Sequence, residues 1–186
     1  MGAKNLQKKL KKYIKVVDSG HLVCYYVSTT DKKRKKWMAF LTGEYDHQID
    51  AKNRIRIPTK LKGTEEKLYF SKGTCGCVFV HYVKEMDDKL EKLHAGVLMT
   101  DLSRQRGLRV FTHSIKLVEM DQQGRFVIPP ELVAFAKIIK EVKICGSGSR
   151  IEVWSKERYD AYMSGVEIDD EEVVMFDKVM SELGTI

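Results

Sequence analysis

Asp50-Ala-Lys-Asn-Arg54-Ile-Arg-Ile-Pro58-Thr-Lys-Leu61 decides the fold, because Asp121-Gln-Gln-Gly-Arg125-Phe-Val-Ile-Pro129-Pro-Glu-Leu132 says the same thing 71 positions later. Both stretches fit Asp-x-x-(Asn/Gly)-Arg-x-x-Ile-Pro-x-x-Leu. An internal repeat implies an architecture built twice from one unit. Each copy reads as a tight turn feeding a strand that Pro stops. Asp50 and Asp121 open the turns, where a carboxylate accepts hydrogen bonds from the backbone amides that follow it. Asn53 and Gly124 stand at the same place, and these residue types adopt positive φ most easily. Arg54 and Arg125 come next. Alternation then puts Ile55 and Ile57 on one face, with Arg54 and Arg56 on the other. Pro58 and Pro129 cannot donate to a ladder and end the strands.

The likeness continues beyond the prolines. Lys67-Leu-Tyr-Phe70, a Gly-containing turn and Cys77-Val-Phe-Val-His81 read as a hairpin. Glu141-Val-Lys-Ile-Cys145, Gly146-Ser-Gly-Ser-Arg150 and Ile151-Glu-Val-Trp154 repeat that order. A helical segment follows each: Met86, Leu90, Leu93 and Val97 in the first, Tyr159 with Tyr162 or Met163 in the second. The expected fold class is α+β and β-rich, with turn–strand, hairpin and helix in each half. Half-units of roughly 45 residues are too small to be stable alone, so the two should share one core about a pseudo-two-fold axis.

Composition narrows the function. The 186 residues carry a net charge of +7, but residues 1–37 alone hold eleven Lys/Arg against two acids. The remainder has 22 basic and 24 acidic residues, so nucleic-acid binding by the body must come from local placement of cations. No apolar run is long enough to span a membrane, and no signal-peptide pattern is present. Four Cys in a chain of this size imply no disulfide framework and point to a reducing, cytoplasmic setting. Cys75-x-Cys77 has no second pair at ligand spacing, which argues against a metal. Gly146–Arg150 lies between strands, where a hairpin turn accounts for it better than a phosphate cradle. His47 reads as structural, though close enough to the first motif to touch a ligand there, and Trp154 reads as core or subunit interface. Nothing supports catalysis, a cofactor or a small-molecule substrate.

The expected organisation has five parts. Residues 1–37 form a basic extension, read either as a disordered tail adding salt-sensitive DNA affinity or as an upstream stretch ahead of a true start at Met38. Residues 38–97 are the first repeat. Residues 98–112 are a helical, basic connector with Asp101 near its start. Residues 113–165 are the second repeat, entered by a strand from His113 to Met120. Residues 166–186 hold an acidic, amphipathic helix with Val173, Phe176, Met180 and Leu183 on one stripe, its acids favourable at the helix N-terminus.

Gly43-Glu-Tyr-Asp-His-Gln-Ile-Asp50, both Asp-x-x-x-Arg motifs and Ile151-Glu-Val-Trp-Ser-Lys-Glu-Arg-Tyr159 resemble the bacterial MraZ proteins across roughly residues 38–163. That family belongs to the AbrB-like DNA-binding proteins of the SpoVT-AbrB superfamily. The resemblance implies half-units that swap hairpins into a small β-barrel. It implies homo-oligomeric rings, octameric or dodecameric, bound to short direct repeats in double-stranded promoter DNA of the cell-division and cell-wall gene cluster. It also implies a nucleoid-associated transcriptional regulator, often a repressor. The alternative is an AbrB-like protein-interaction or antitoxin-type module. Residues 1–37 have no counterpart in the family, and Asn53 stands where the first motif usually carries Gly.

The candidate DNA contacts are Lys52, Arg54, Arg56 and Arg125. Arg grips phosphate bidentately and matches the acceptor pair of guanine in the major groove. The first copy groups three cations, whereas Arg125 is flanked by Gln122 and Gln123. The first copy is therefore expected to be the main contact, with Arg125 partly structural. Asp50, Asn53, Asp121 and Gly124 are expected to hold the turns.

Overall fold

The computed structural model describes residues 15–18, 21–26 and 38–183, with side chains from residue 40 onward. Strands β1 (Lys15–Asp18), β2 (His21–Tyr26) and β3 (Met38–Ala39) form a small antiparallel sheet of their own. The rest of the basic extension, including its expected disorder, lies outside the described residues.

The first repeat runs through β4 (Glu44–Gln48), β5 (Arg54–Ile55), α1 (Thr59–Lys62), β6 (Lys67–Lys72), β7 (Val78–Tyr82) and α2 (Val83–Gly96). Helix α3 (Leu102–Ser114) connects it to the second repeat. There β8 (Lys116–Glu119), β9 (Phe126–Val127), α4 (Pro130–Phe135), β10 (Glu141–Ser147), β11 (Arg150–Ser155) and α5 (Lys156–Met163) follow in the same order. Helix α6 (Glu171–Leu183) closes the described chain.

Six strands form one antiparallel sheet in the order β4-β10-β11-β7-β6-β8. The order reads the same from either end once the repeats are exchanged, which is a pseudo-two-fold arrangement. Each repeat's first strand pairs with the hairpin of the other: β4 with β10 and β8 with β6. The hairpins meet at the centre through β7 and β11.

The expected barrel does not close. Among the described residues β4 and β8 are the two edges of an open sheet, and β5 and β9 pair only with each other. Those two strands are two residues long because Pro58 and Pro129 follow within a few positions and have no N–H to give. The β5–β9 ribbon instead lies over one face of the sheet. Its inner side chains Ile55 and Phe126 are buried in the same cluster as Phe70, Val80, Ile144 and Val153. Equivalent positions of the repeats, Ile57 with Ile128 and Leu61 with Leu132, are each no more than 1% exposed. The two copies thus share one core, as their size requires.

Two sequence expectations change in detail. The connector helix runs on to Ser114, so the strand expected from His113 begins only at Lys116. The prolines do more than stop strands: Pro58 and Pro129 are the N-caps of α1 and α4, which insert Leu61 and Leu132 into the core. The connector's Asp101 is the N-cap of α3, accepting from the Arg104 amide at 3.0 Å. On the far face of the sheet, α6 buries Val173, Phe176, Met180 and Leu183 against Met86, Leu108 and Phe111. Buried Arg158 of α5 secures that packing by donating to the Phe135 carbonyl at 2.9 Å and to the Asp170 carboxylate ahead of α6. Trp154 is core, 4% exposed and stacked on Tyr162.

Candidate nucleic-acid interface

Both Asp-to-Arg turns are built the same way. Asp50 Oδ1 accepts from the Lys52 and Arg54 amides at 2.9 and 3.0 Å. Asp121 Oδ1 accepts from the Gln123 and Arg125 amides, both at 2.9 Å. The fourth turn residues adopt the left-handed backbone, with φ of 57° at Asn53 and 76° at Gly124. Asn therefore takes the place usually held by Gly without changing the turn. The motif carboxylates are turn-builders, as their chemistry suggests.

These bonds also hold the acids ionised. Partial burial works against the Asp50 charge, but the Arg54 and Lys52 amides and the Arg54 guanidinium outweigh it and lower its pKa to about 2. Asp121 is lowered too, chiefly by the Arg125 amide and then by its guanidinium.

The ribbon places the two turns side by side. Arg54 lies opposite Val127, and Ile55 opposite Phe126. The next register position sets Arg56 beside Arg125, and Arg56 Nη2 donates to the Gln123 carbonyl at 2.7 Å. With Ile55 and Phe126 turned into the core, pleating sends Arg54, Arg56, Arg125 and Val127 to the outer face. Lys52 is exposed beside them. All four candidate DNA-contacting residues are thereby brought together on one surface.

Each motif Arg is paired to its own Asp. Arg54 Nε lies 2.6 Å from Asp50 Oδ2, and Arg125 Nε lies 2.9 Å from Asp121 Oδ2. Such solvent-screened pairs contribute little to stability. Their larger effect is to order the guanidinium, so less side-chain freedom remains to be lost on binding. In Arg54 the hydrogen bond is through Nε, and no hydrogen bond among the described residues engages either Nη. That leaves a two-donor edge free for phosphate or for guanine O6 and N7.

The sequence pattern does not single out one further pair of cations. Helix α1 carries Lys60 and Lys62 just after the first motif, whereas Glu131 and Val133 hold the matching places in α4. The signal that could find them is the motif alignment carried a few residues past the Pro. His47 lies on β4 opposite Val142, half-buried. Cys77 is buried, and its thiol donates to the Thr74 carbonyl at 3.3 Å. Within Gly146–Arg150, Gly148 and Ser149 form the β10–β11 turn, with Gly148 at a φ of 66°.

A protein-family model described as "MraZ protein, putative antitoxin-like" matches residues 112–175. A "Transcriptional regulator MraZ" of Clostridium tetani is 34% identical over 146 residues, covering 76% of this chain and 97% of that protein. One from Finegoldia magna is 39% identical over 133 residues, covering 68% and 90%. One from Acetivibrio thermocellus is 37% identical over 121 residues, covering 64% and 84%.

Proposed function

Because the chain belongs to the MraZ family, we propose that it is a transcriptional regulator that binds double-stranded DNA sequence-specifically through the outer face of the β5–β9 ribbon. The observation that carries this reading is Arg54. Its backbone is set by the Asp50 turn, its Nε is tethered to Asp50, and its Nη groups make no hydrogen bond among the described residues. Lys52, Arg56, Lys60 and Lys62 add positive charge to the same repeat within eight residues of Arg54. They supply the phosphate attraction that the near-neutral body lacks.

We further propose that the targets are direct repeats in the promoter of the cell-division and cell-wall cluster. The chain acts there as a repressor, in the cytoplasm at the nucleoid. One modest contact per subunit gains affinity when a homo-oligomeric ring meets repeated sites. The fold is read as an opened version of the AbrB-like swapped-hairpin arrangement. The exchange of β4 and β8 between repeats supports that reading. The antitoxin-type alternative calls for a free partner-binding tail. Among the described residues the candidate tail, α6, instead buries its apolar stripe against the body.

The test is Arg54→Ala in a gel shift with a duplex spanning the region upstream of this gene. Binding is expected to fall by about five- to 150-fold, the roughly 1–3 kcal/mol of one good bidentate contact, with circular dichroism and subunit number unchanged. Binding equal to the parent's would overturn the reading.

A further inference from the structure

We propose that Arg125 is a positioning residue that couples the two repeats, and that it does not itself contact DNA. This inference rests on the DNA-binding reading above and assigns the two motif arginines different work within it.

The geometry of the carboxylates separates them. Arg125 reaches both carboxylates: Nε and Nη2 lie 2.9 and 2.8 Å from Asp121 Oδ2, and Nη1 approaches Asp50 Oδ2 at 3.7 Å, an ion pair without a hydrogen bond. That Asp50 oxygen is the one that receives Arg54 Nε at 2.6 Å. The charges therefore form a chain running from Asp121 to Arg125 to Asp50 to Arg54. It has no mirror image, because Arg54 reaches Asp50 alone. Although the backbone of the two turns is nearly equivalent, the side-chain network is one-directional.

Surroundings point the same way. Arg125 is the less exposed of the two side chains, 22% against 28%. The register sets it beside Arg56, a second cation whose guanidinium reaches over the second turn to Gln123. Arg54 faces Val127 instead. Drawing Arg125 out to a phosphate would strip the charge from Asp121 and leave two carboxylates near the DNA backbone, where they repel it. Keeping it in place neutralises Asp121, shares the charge of Asp50 and fixes the oxygen that aims Arg54.

The consequence is a specific kinship between Arg125 and Asp121. Each phosphate-neutralising cation contributes about one unit to the slope of log affinity against log salt concentration, whereas a clamp contributes none. The experiment measures binding of the upstream duplex across a salt series for the parent, Arg125→Gln and the double variant Arg125→Gln/Asp121→Asn. A scrambled duplex serves as control, and thermal melts check folding. The clamp predicts that Arg125→Gln weakens binding about tenfold with the parent's salt slope. The double variant should recover most of the loss, since the freed carboxylate is gone and a neutral Gln–Asn pair can bridge the turn. A slope reduced by about one, with no recovery in the double variant, would overturn the clamp and make Arg125 a contact. The two readings fail separately: undiminished binding in Arg54→Ala sinks DNA recognition by this face, whatever Arg125 does.

Discussion

Among single residues, His81 sets the most testable behaviour outside the proposed DNA face. It sits on β7 at 1% exposure, its ring edge-on to Phe79, and neither ring nitrogen has a partner among the described residues. Burial, with Lys89 and Arg150 nearby, lowers its pKa from 6.5 to about 3. The folded state holds this imidazole neutral while the unfolded chain takes up a proton. Stability is complete above about pH 6.5 and falls as pH drops toward 3, by at most about 1.4 kcal/mol per pH unit. Urea titrations at pH 7 and pH 5 should show this decline in the parent. His81→Phe should flatten it; an equal decline in the variant would refute the assignment. Asp50, held near 2, adds its own loss only below about pH 4, so the two groups separate on the pH axis. Asp50, Arg54, Asp121 and Arg125 are legible in the sequence because the repeat prints them twice. The shared Asp50 oxygen is not, since it depends on where two turns 71 positions apart meet across a ribbon.

For the turns and short helices, position in the backbone decides what a substitution costs. A Cβ built on Gly124 would meet nothing within 4 Å, so Gly124→Ala is penalised through its φ of 76° alone. The expected loss is about 1–2 kcal/mol in a thermal or urea melt. Asn53→Gly, at a φ of 57°, should change stability by less than about 0.5 kcal/mol, because Asn already tolerates that region. Equal penalties at the two sites would show that the turns are not the equivalents their φ values indicate. Residue type alone implies positive φ, which is why Asn53 and Gly124 stand out in the bare sequence. Helices α1 and α4, four and six residues long, do not. They are shorter than two turns and leave no periodic signal to read. The end of α3 is hidden for a related reason: Thr112, His113 and Ser114 are weak helix formers, held helical here by burial of Phe111 and Ser114.

At the scale of the whole molecule, duplication is plain in the sequence and closure is not. The count of strands follows from alternating patterns, but whether a sheet closes depends on pairing lengths that Pro58 and Pro129 cut down to two residues. Nor can alternation show that β4 and β8 change places between the repeats, because either partner would bury the same apolar faces. The exchange predicts how the chain responds to being cut. Met99 is 89% exposed in the link between the repeats. Fragments 38–99 and 100–186, co-expressed as separate chains, should co-purify as one folded complex, and neither alone should give a cooperative melt. Independent folding of either fragment would contradict the shared core.

The same exchange bears on how the protein is made. Glu44 and its partner Lys143 lie 99 positions apart, so β4 leaves the ribosome long before the strand it needs. At about 5–20 residues per second, that wait lasts on the order of 5–20 seconds. During it, the first repeat offers an unpaired strand and an incomplete core to every neighbouring nascent chain. Polysomes translating this message therefore hold, side by side, segments able to accept one another's strands, and assembly between sister chains can begin before any one of them is finished.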